Sequence, residues 1–314
     1  MNQEIRFAVA IGLLWLALSP LAIVADAPRA ESGLPEQLPG VQVPILQEHH
    51  YTMSGRVRPL LAFWIGRDDV GSGWIRWKRS DHTTAYELMI GSDPDRAPGR
   101  LNRWGYLVEE LRDRESLVLG LMSRSDERSL SDAEAGLTNA GQARPFETMR
   151  GHVAERSAYA LVAPVRPSRD LTYRDAETAI DLLLAAPPDR EIREITRPVG
   201  ARAGFLTSVA ELVHATTGAH RAGARTSPPV LSYVYGYRVY ELRIREVVVL
   251  PRFEAGGRAY DNVLLGRFEA RREGSRQTSR FELVYPTSGP LAEVPIRISY
   301  RPKWWLEVEL HLET

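Results

Sequence analysis

The sequence predicts an α+β protein that is predominantly antiparallel β, built as a curved sheet or open barrel with a helical middle segment. Three observations lead to this prediction. Apolar and polar side chains alternate with the period of a strand in the last third, and residues 51–125 hold short β-rich runs between turn clusters. Residues 126–225 instead carry helix caps and apolar residues at helical spacing.

The amino-terminal stretch is typical of an export signal. Phe7 to Ala25 contains no charge, and small residues lie around its end. Cleavage after Ala27 would leave Pro28 without an amide hydrogen beside the cut bond, so we expect cleavage after Ala25, with Ala27 as the alternative. A retained membrane anchor is the other reading of this run, although Pro20 interrupts it. The sequence therefore predicts an exported protein, in the periplasm or outside the cell.

Residues 26–50 follow as a predicted proline-rich linker, and residues 51–314 as a single domain. The linker carries four prolines among polar residues and has no periodic apolar pattern. The domain is long enough to bury a large core without covalent help.

Composition narrows the classes of function. The chain has no cysteine, which excludes disulfides and a cysteine-linked lipid anchor. Forty basic residues balance forty acidic ones, so no long-range positive field favours nucleic acid, and no nucleic-acid partner is expected. No cofactor motif is present, and we expect no cofactor.

The sequence of the first third of the domain, residues 51–125, predicts antiparallel hairpins. Its strand candidates are rich in aromatic and β-branched residues, and turn clusters at 68–73, 80–84 and 91–99 separate them. The candidates are Trp74–Lys78, Tyr86–Ile90, Leu101–Arg112 and Leu117–Met122.

The middle third, about residues 126–225, predicts helices and one strand. Capping pairs begin the first two helices, and Gly218 is expected to stop the third. The predicted helices are 131–141, Tyr173–Ala186 and Gly204–Thr217, and the predicted strand is Met149–Val165.

The last third predicts a meander of at least five antiparallel strands. Trp304–Glu313 and Val294–Tyr300 alternate clearly, and the break at Arg301–Lys303 between them predicts a hairpin turn. Further strands are predicted at Leu231–Leu250, Asn262–Arg272 and Arg280–Tyr285.

Two segments resemble the periplasmic lipoprotein and lipid carriers, in which a long antiparallel sheet curls around a helix. They are the strand entry Val70–Ile75, and the hairpin from Leu291 to Ile298 that leads into the final strand. The resemblance covers the first and last thirds and contains no diagnostic motif. It implies an apolar cavity that holds a lipid-like group.

Aromatic residues supply the candidate ligand-binding positions. Tyr233, Tyr235 and Tyr237 alternate along one predicted strand, and Trp305 lies on the polar side of the last one. Exposed rings stack on sugars or contact lipid or a protein partner. Burial under a covering layer is the competing interpretation.

Metal binding has two weak candidates, and no metal is expected. Glu309 and His311 share a strand face with Glu313, a pattern that a solvated face also produces. Glu211 and His214 have the i, i+3 spacing of carboxylate–histidine sites in helix bundles, but the second pair that such sites need is missing.

The motifs searched for hydrolases and nucleotide-binding enzymes are absent from the sequence, which favours binding over catalysis. The predicted function is a non-catalytic binding protein of the cell envelope, for an apolar or lipid-like ligand. Two alternatives remain open: a secreted hydrolase with a dispersed histidine and carboxylate site, and a structural envelope protein that binds a partner.

Overall fold

A computed structural model describes residues 39–40, 43–57, 64–97, 100–123, 146–165, 171–175, 178, 191–224, 228–276, 278–303 and 306–313. The predicted signal and the predicted helix at 131–141 lie outside these residues. Among the described residues, no helix has both the length and the apolar character needed to cross a membrane.

Within this part of the chain, fourteen antiparallel strands form one sheet. Their bounds are β1 Ile45–Val57, β2 Ile65–Arg79, β3 Thr83–Ser92, β4 Trp104–Arg112, β5 Glu115–Ser123, β6 Phe146–Val153, β7 Ser157–Val165, β8 Glu191–Thr196, β9 Leu231–Tyr235, β10 Arg238–Ala255, β11 Arg258–Arg272, β12 Thr278–Pro286, β13 Arg297–Lys303 and β14 Leu306–Leu312. The spatial order is β8-β7-β6-β5-β4-β3-β2-β1-β14-β13-β12-β11-β10-β9.

Two meanders therefore meet where the first strand pairs with the last. In this pair Tyr51 lies opposite Leu312, and Val57 lies opposite Leu306. The predicted fold class is confirmed: the sheet is predominantly antiparallel, curved and unclosed, and a helix comes from the middle segment.

The helix, α1 (Phe205–Arg221), packs against the inner face of the sheet beside β9 and β10. Phe205, Leu212 and Val213 are buried at helical spacing and join a core cluster that draws on both meanders. The helix continues past Gly218, where the sequence predicted a stop. One glycine costs a helix only about 1 kcal/mol, and Arg221 in the added turn donates to the Thr287 carbonyl oxygen.

The two edges of the sheet approach each other, because the chain after β8 runs alongside β9. The Arg202 N–H donates to the Ser232 carbonyl oxygen over 2.7 Å, and the Val234 N–H donates to the Arg202 carbonyl oxygen over 2.9 Å. Gly236, at φ +61°, ends β9 so close to β6 that a β-carbon there would lie 2.5 Å from Met149 Sδ. These contacts draw the sheet around α1.

Several predicted boundaries are wrong. The predicted linker at residues 26–50 overlaps β1, which begins at Ile45 and pairs with β2. Met149–Val165 is two strands rather than one, since the Ala154 N–H closes a turn on the Ser157 carbonyl oxygen. Leu231–Leu250 is also broken, because Gly236 and Tyr237 form a hairpin turn between β9 and β10. The short edge strand β8 was not predicted.

The turn predicted at residues 68–73 lies inside β2. Gly71 packs where a β-carbon would meet the Gly91 carbonyl oxygen at 2.2 Å, so the glycine permits a close approach of two strands. Asp69, at φ +55°, sits where the β1–β2 register shifts. The turn residues therefore form a β-bulge.

Two further predictions need correction. β13 continues to Lys303, which pairs with Leu306, and a register irregularity accommodates Pro302 where a hairpin turn was predicted. At the predicted second helix, Tyr173–Asp175 is one 3-10 turn, and most of the remainder lies outside the described residues. The predicted capping pair is present there, with the Thr172 N–H donating to Asp175 Oδ2 over 2.8 Å.

Candidate functional site

The outer face of β10, β11 and β12 carries rows of alternating charge. Strand register sets Glu246, Arg267 and Glu282 side by side in one row. Arg267 Nε donates to Glu282 Oε1 over 3.0 Å, and its Nη1 bonds to Glu246. Arg267 therefore pairs with both carboxylates of the row, and Arg297 lies 3.5 Å from Glu282 on its other side.

The neighbouring row has two arginines and one glutamate, and the carboxylate of that glutamate is buried. Arg243, Glu269 and Arg280 lie side by side, and the Glu269 side chain is only 4% exposed. Arg280 Nε donates to Glu269 Oε2 over 2.9 Å and Arg243 Nε to Oε1 over 3.1 Å. A third guanidinium, that of Arg245, donates to Oε2 over 3.2 Å.

These contacts set the ionisation of Glu269. Burial acts to raise its pKa, but the hydrogen bonds from Arg243 and Arg280 and the charges of Arg243 and Arg245 outweigh burial and lower it. Glu269 is therefore a carboxylate at neutral pH and holds the three arginines in place.

A cleft of about 850 Å³ opens over this face. Its charged lining residues, taken from β10 to β14, are Arg245, Glu246, Arg267, Arg280, Glu282, Arg301 and Glu307. Thr278 and Ser299 add hydroxyl groups. Phe268, Phe281 and Tyr300 also border the cleft but are 5% exposed or less. Its wall is therefore chiefly polar and charged.

A second candidate lies on the inner face, where a buried carboxylate meets the amino terminus of α1. Glu109 of β4 is fully buried and accepts from the Phe205 N–H over 2.7 Å and the Thr207 N–H over 3.2 Å. The cap residue of the helix is Gly204, and a β-carbon there would lie 2.5 Å from Glu109 Oε2. Glu109 thus supplies the capping oxygens that Gly204 lacks.

The surroundings of Glu109 perturb its ionisation. Burial raises its pKa to about 7, and the N–H groups of Leu206, Thr207 and Phe205 act in the opposite direction. This arrangement can hold a proton near neutral pH. The hydrogen bonds show a structural role as a helix cap, and buried side chains close the site from solvent.

Two of the predicted ligand-binding tyrosines belong to this inner region. Tyr233 and Tyr235 are 1% and 2% exposed, and burial raises the pKa of each. Tyr233 stacks on Tyr240 with 5.3 Å between ring centroids and contacts the Phe205 ring at 5.5 Å. Their rings are core residues.

The third tyrosine, Tyr237, lies in the hairpin turn after β9 rather than on the strand. Its ring is partly buried between Arg193 and Arg238, whose guanidinium carbons lie 4.6 and 4.8 Å from its centroid. It therefore helps to join the two sheet edges. The fourth predicted residue, Trp305, lies outside the described residues.

The candidate metal ligands are divided among ion pairs. Glu309 and His311 lie 3.4 Å apart on the outer face, as their spacing predicted. Glu211 instead receives two hydrogen bonds of 2.6 Å from Arg202, and His214 lies 3.1 Å from Glu293. In the described part of the chain, no three metal-ligating side chains come together.

Histidine–carboxylate pairs bear on the hydrolase alternative, and the described residues contain four of them. The two shortest are His214 with Glu293 and His152 with Glu115, each at 3.1 Å. Among the described residues no hydrogen bond joins either of these two histidines to a hydroxyl group, the contact that an activated serine or threonine needs.

Sequence reasoning missed both Glu109 and Glu269. A signal existed for each, because alternation places Glu109 on the face of Leu107 and Leu111, and Glu269 between Arg267 and Arg271. Their partners come from distant parts of the chain, so local pattern alone does not identify either site.

In the part of the chain that the structure describes, fold and cleft together define a class of protein: a curved, unclosed antiparallel sheet packed around helix α1, with an arginine-bearing cleft on its outer face. Comparisons with known protein families, with curated proteins and with solved structures find no match.

Proposed function

We propose that this protein is an exported, non-catalytic binding protein of the cell envelope, whose ligand occupies the outer-face cleft. The observation that carries the proposal is the cleft itself. Its volume of about 850 Å³ falls in the range of about 300–1,000 Å³ that is usual for small-molecule sites. Strand register and ion pairs fix its lining side chains, so the site is formed before a ligand arrives.

The packing beneath α1 favours the cleft over an interior site. The sequence led us to expect an apolar or lipid-like ligand between sheet and helix. In the described region that space holds the mutually packed rings of Phe205, Tyr233 and Tyr240. The charged wall of the cleft favours a ligand with a polar end, and a lipid-like tail would extend from it.

Export rests on the uncharged run Phe7–Ala25. The intact mass of the protein from an envelope fraction tests it. We expect the mass of a chain that starts at Asp26 or Pro28. A full-length chain in the cytoplasmic fraction would contradict export.

Ligand binding is tested by purifying the full chain from its own envelope and extracting it for mass spectrometry. Thr278→Trp places a large ring in the cleft at a half-buried position, and Arg258→Trp adds the same ring at an exposed position on the β10–β11 hairpin. We expect a bound small molecule in the wild type and in Arg258→Trp, and its loss in Thr278→Trp, with melting temperatures verifying that both variants fold. A wild type that extracts clean, or a folded Thr278→Trp variant that keeps its ligand, overturns the proposal.

A further inference from the structure

The cleft has a local surplus of positive charge at one end. Arg243, Arg245 and Arg280 share one carboxylate, that of Glu269. Three guanidinium charges against one carboxylate leave a surplus of two positive charges. Elsewhere around the cleft three arginines meet three carboxylates: Arg267 lies between Glu246 and Glu282, Arg297 lies 3.5 Å from Glu282, and Arg301 pairs with Glu307.

A β-bulge creates this surplus. The β10–β11 register shifts between Ile244 and Glu246, so Arg245 is an extra residue with no partner position on β11. A regular ladder would give Glu269 only its two in-row neighbours, Arg243 and Arg280. The bulge adds Arg245 to the same carboxylate and thereby orients a third guanidinium toward the cleft.

The arginines keep donors available for a ligand. Each guanidinium has five N–H donors, and Glu269 uses Nη1 of Arg245 and Nε of Arg280. Within the described residues, both terminal nitrogens of Arg280 and Nη2 of Arg245 make no hydrogen bond to protein. The Arg245 and Arg280 side chains are 49% and 65% exposed, and both line the cleft.

We propose that Arg245 and Arg280 form an anion-binding subsite, which takes the phosphate or similar oxyanion group of the ligand while Glu269 and Arg243 hold the two guanidiniums in position. The inference rests on the proposed function and names the chemical class of its ligand. Paired guanidiniums suit this role because their planar N–H forks match the oxygens of a phosphate group.

Two sources of such a group are distinguished by direct titration. Isothermal titration calorimetry of the wild-type chain uses inorganic phosphate, dihexanoyl phosphatidic acid and a neutral amphiphile, hexyl glucoside. Binding of inorganic phosphate identifies a site for a free anion. Binding of phosphatidic acid alone identifies a lipid head group. Binding of neither anion, or equal binding of the neutral amphiphile, overturns the inference.

Variants then locate the subsite. The double variant Arg245→Gln/Arg280→Gln is expected to weaken anion binding by about tenfold or more, because hydrogen bonds between charged groups are lost. Arg280→Lys keeps the positive charge but loses the planar N–H fork of the guanidinium. Its affinity for the anion is expected to lie between those of the wild type and the double variant. The matched control is Arg271→Gln, on the same face but paired with Glu241 outside the cleft lining. Its affinity should change by less than about twofold.

The variants also separate this inference from the function on which it rests. If Thr278→Trp loses the co-purified ligand and the double arginine variant retains it, the cleft binds a ligand but the anion subsite is wrong. If Thr278→Trp also retains the ligand, the binding function itself fails. The Arg245 and Arg280 side chains are 49% and 65% exposed and Thr278 is half-buried, so the variants are expected to fold, and melting temperatures verify this.

Discussion

The outer faces of β3–β6 and β10–β12 arise from the same alternation of side chains but have opposite character. On the first meander this face carries Met89, Trp104, Tyr106, Leu119, Leu121 and Phe146, all buried. On the second it carries the charged rows around Arg267 and Glu269. One sheet therefore buries both faces in one half and exposes one face in the other.

A segment that contains Leu171 and Tyr173 covers the outer face of the first meander. Leu171 joins the apolar cluster of the first meander, and its carbonyl oxygen accepts a hydrogen bond from Trp104 Nε1 over 3.0 Å. Tyr173 packs so closely that a β-carbon on Gly91 would lie 2.3 Å from its own. The cleft on the second meander opens to solvent. The covered face stabilises the fold, and the open face is available for binding.

The largest effect is expected at the covered face. Trp104 is fully buried and packs on Phe146 with 4.9 Å between ring centroids. Trp104→Ala should lower the free energy of unfolding by about 3–5 kcal/mol, because it leaves a cavity and removes the hydrogen bond to Leu171. Urea denaturation measures this. A loss below about 1 kcal/mol would show that the outer cluster contributes little to stability.

The second-largest effect on stability is expected from Glu109, the carboxylate of the first meander that is buried against α1. The pKa of Glu109 is about 7 in the folded chain, above the ordinary glutamate value of 4.5, so folding favours its protonated form. Its contribution to stability is complete below pH 4.5 and is lost as pH rises through 7, a change of about 3 kcal/mol.

Glu109→Gln should remove this dependence. Stability is compared across the interval from pH 4 to about 8 for the variant, the wild type and the exposed control Glu241→Gln. We expect a flatter profile in Glu109→Gln alone. An unchanged slope in that variant would mean that Glu109 does not take up a proton in this interval.

The sequence predicted those features whose pattern lies within one short segment, and it missed those that depend on contacts between distant residues. Runs such as Tyr86–Ile90 and Arg280–Tyr285 were identified as strands because alternation is visible within one segment. The partners of Glu109 lie nearly a hundred residues away, at the start of α1. Pairing of the first strand with the last, and hence the cleft across five strands, likewise depends on contacts that no local pattern encodes.

At the open face Glu269, which is buried, should contribute more to stability than the exposed arginines around it. Glu269→Gln leaves three arginines without their shared counter-charge, and we expect a loss of about 1–2 kcal/mol at neutral pH. The pKa of Glu269 is lowered by folding, so its contribution is present above the unfolded pKa and is lost as pH falls through the folded one. The free energy of unfolding of Glu269→Gln should therefore be lower than that of the wild type at neutral pH, and the two should be equal at acidic pH. An equal deficit at both would argue against the ion cluster as the cause.

The smallest effect is expected in the exposed row of Glu246, Arg267 and Glu282. Arg267 is 47% exposed, and water and salt screen its pairs with Glu246 and Glu282. Arg267→Ala should change the free energy of unfolding far less than Trp104→Ala does, and the change should shrink further at high salt. Urea denaturation at two salt concentrations measures both. A loss comparable with that of Trp104→Ala would mean that the charged face stabilises the sheet as strongly as the covered one. The contrast between the two meanders would then be one of composition and not of role.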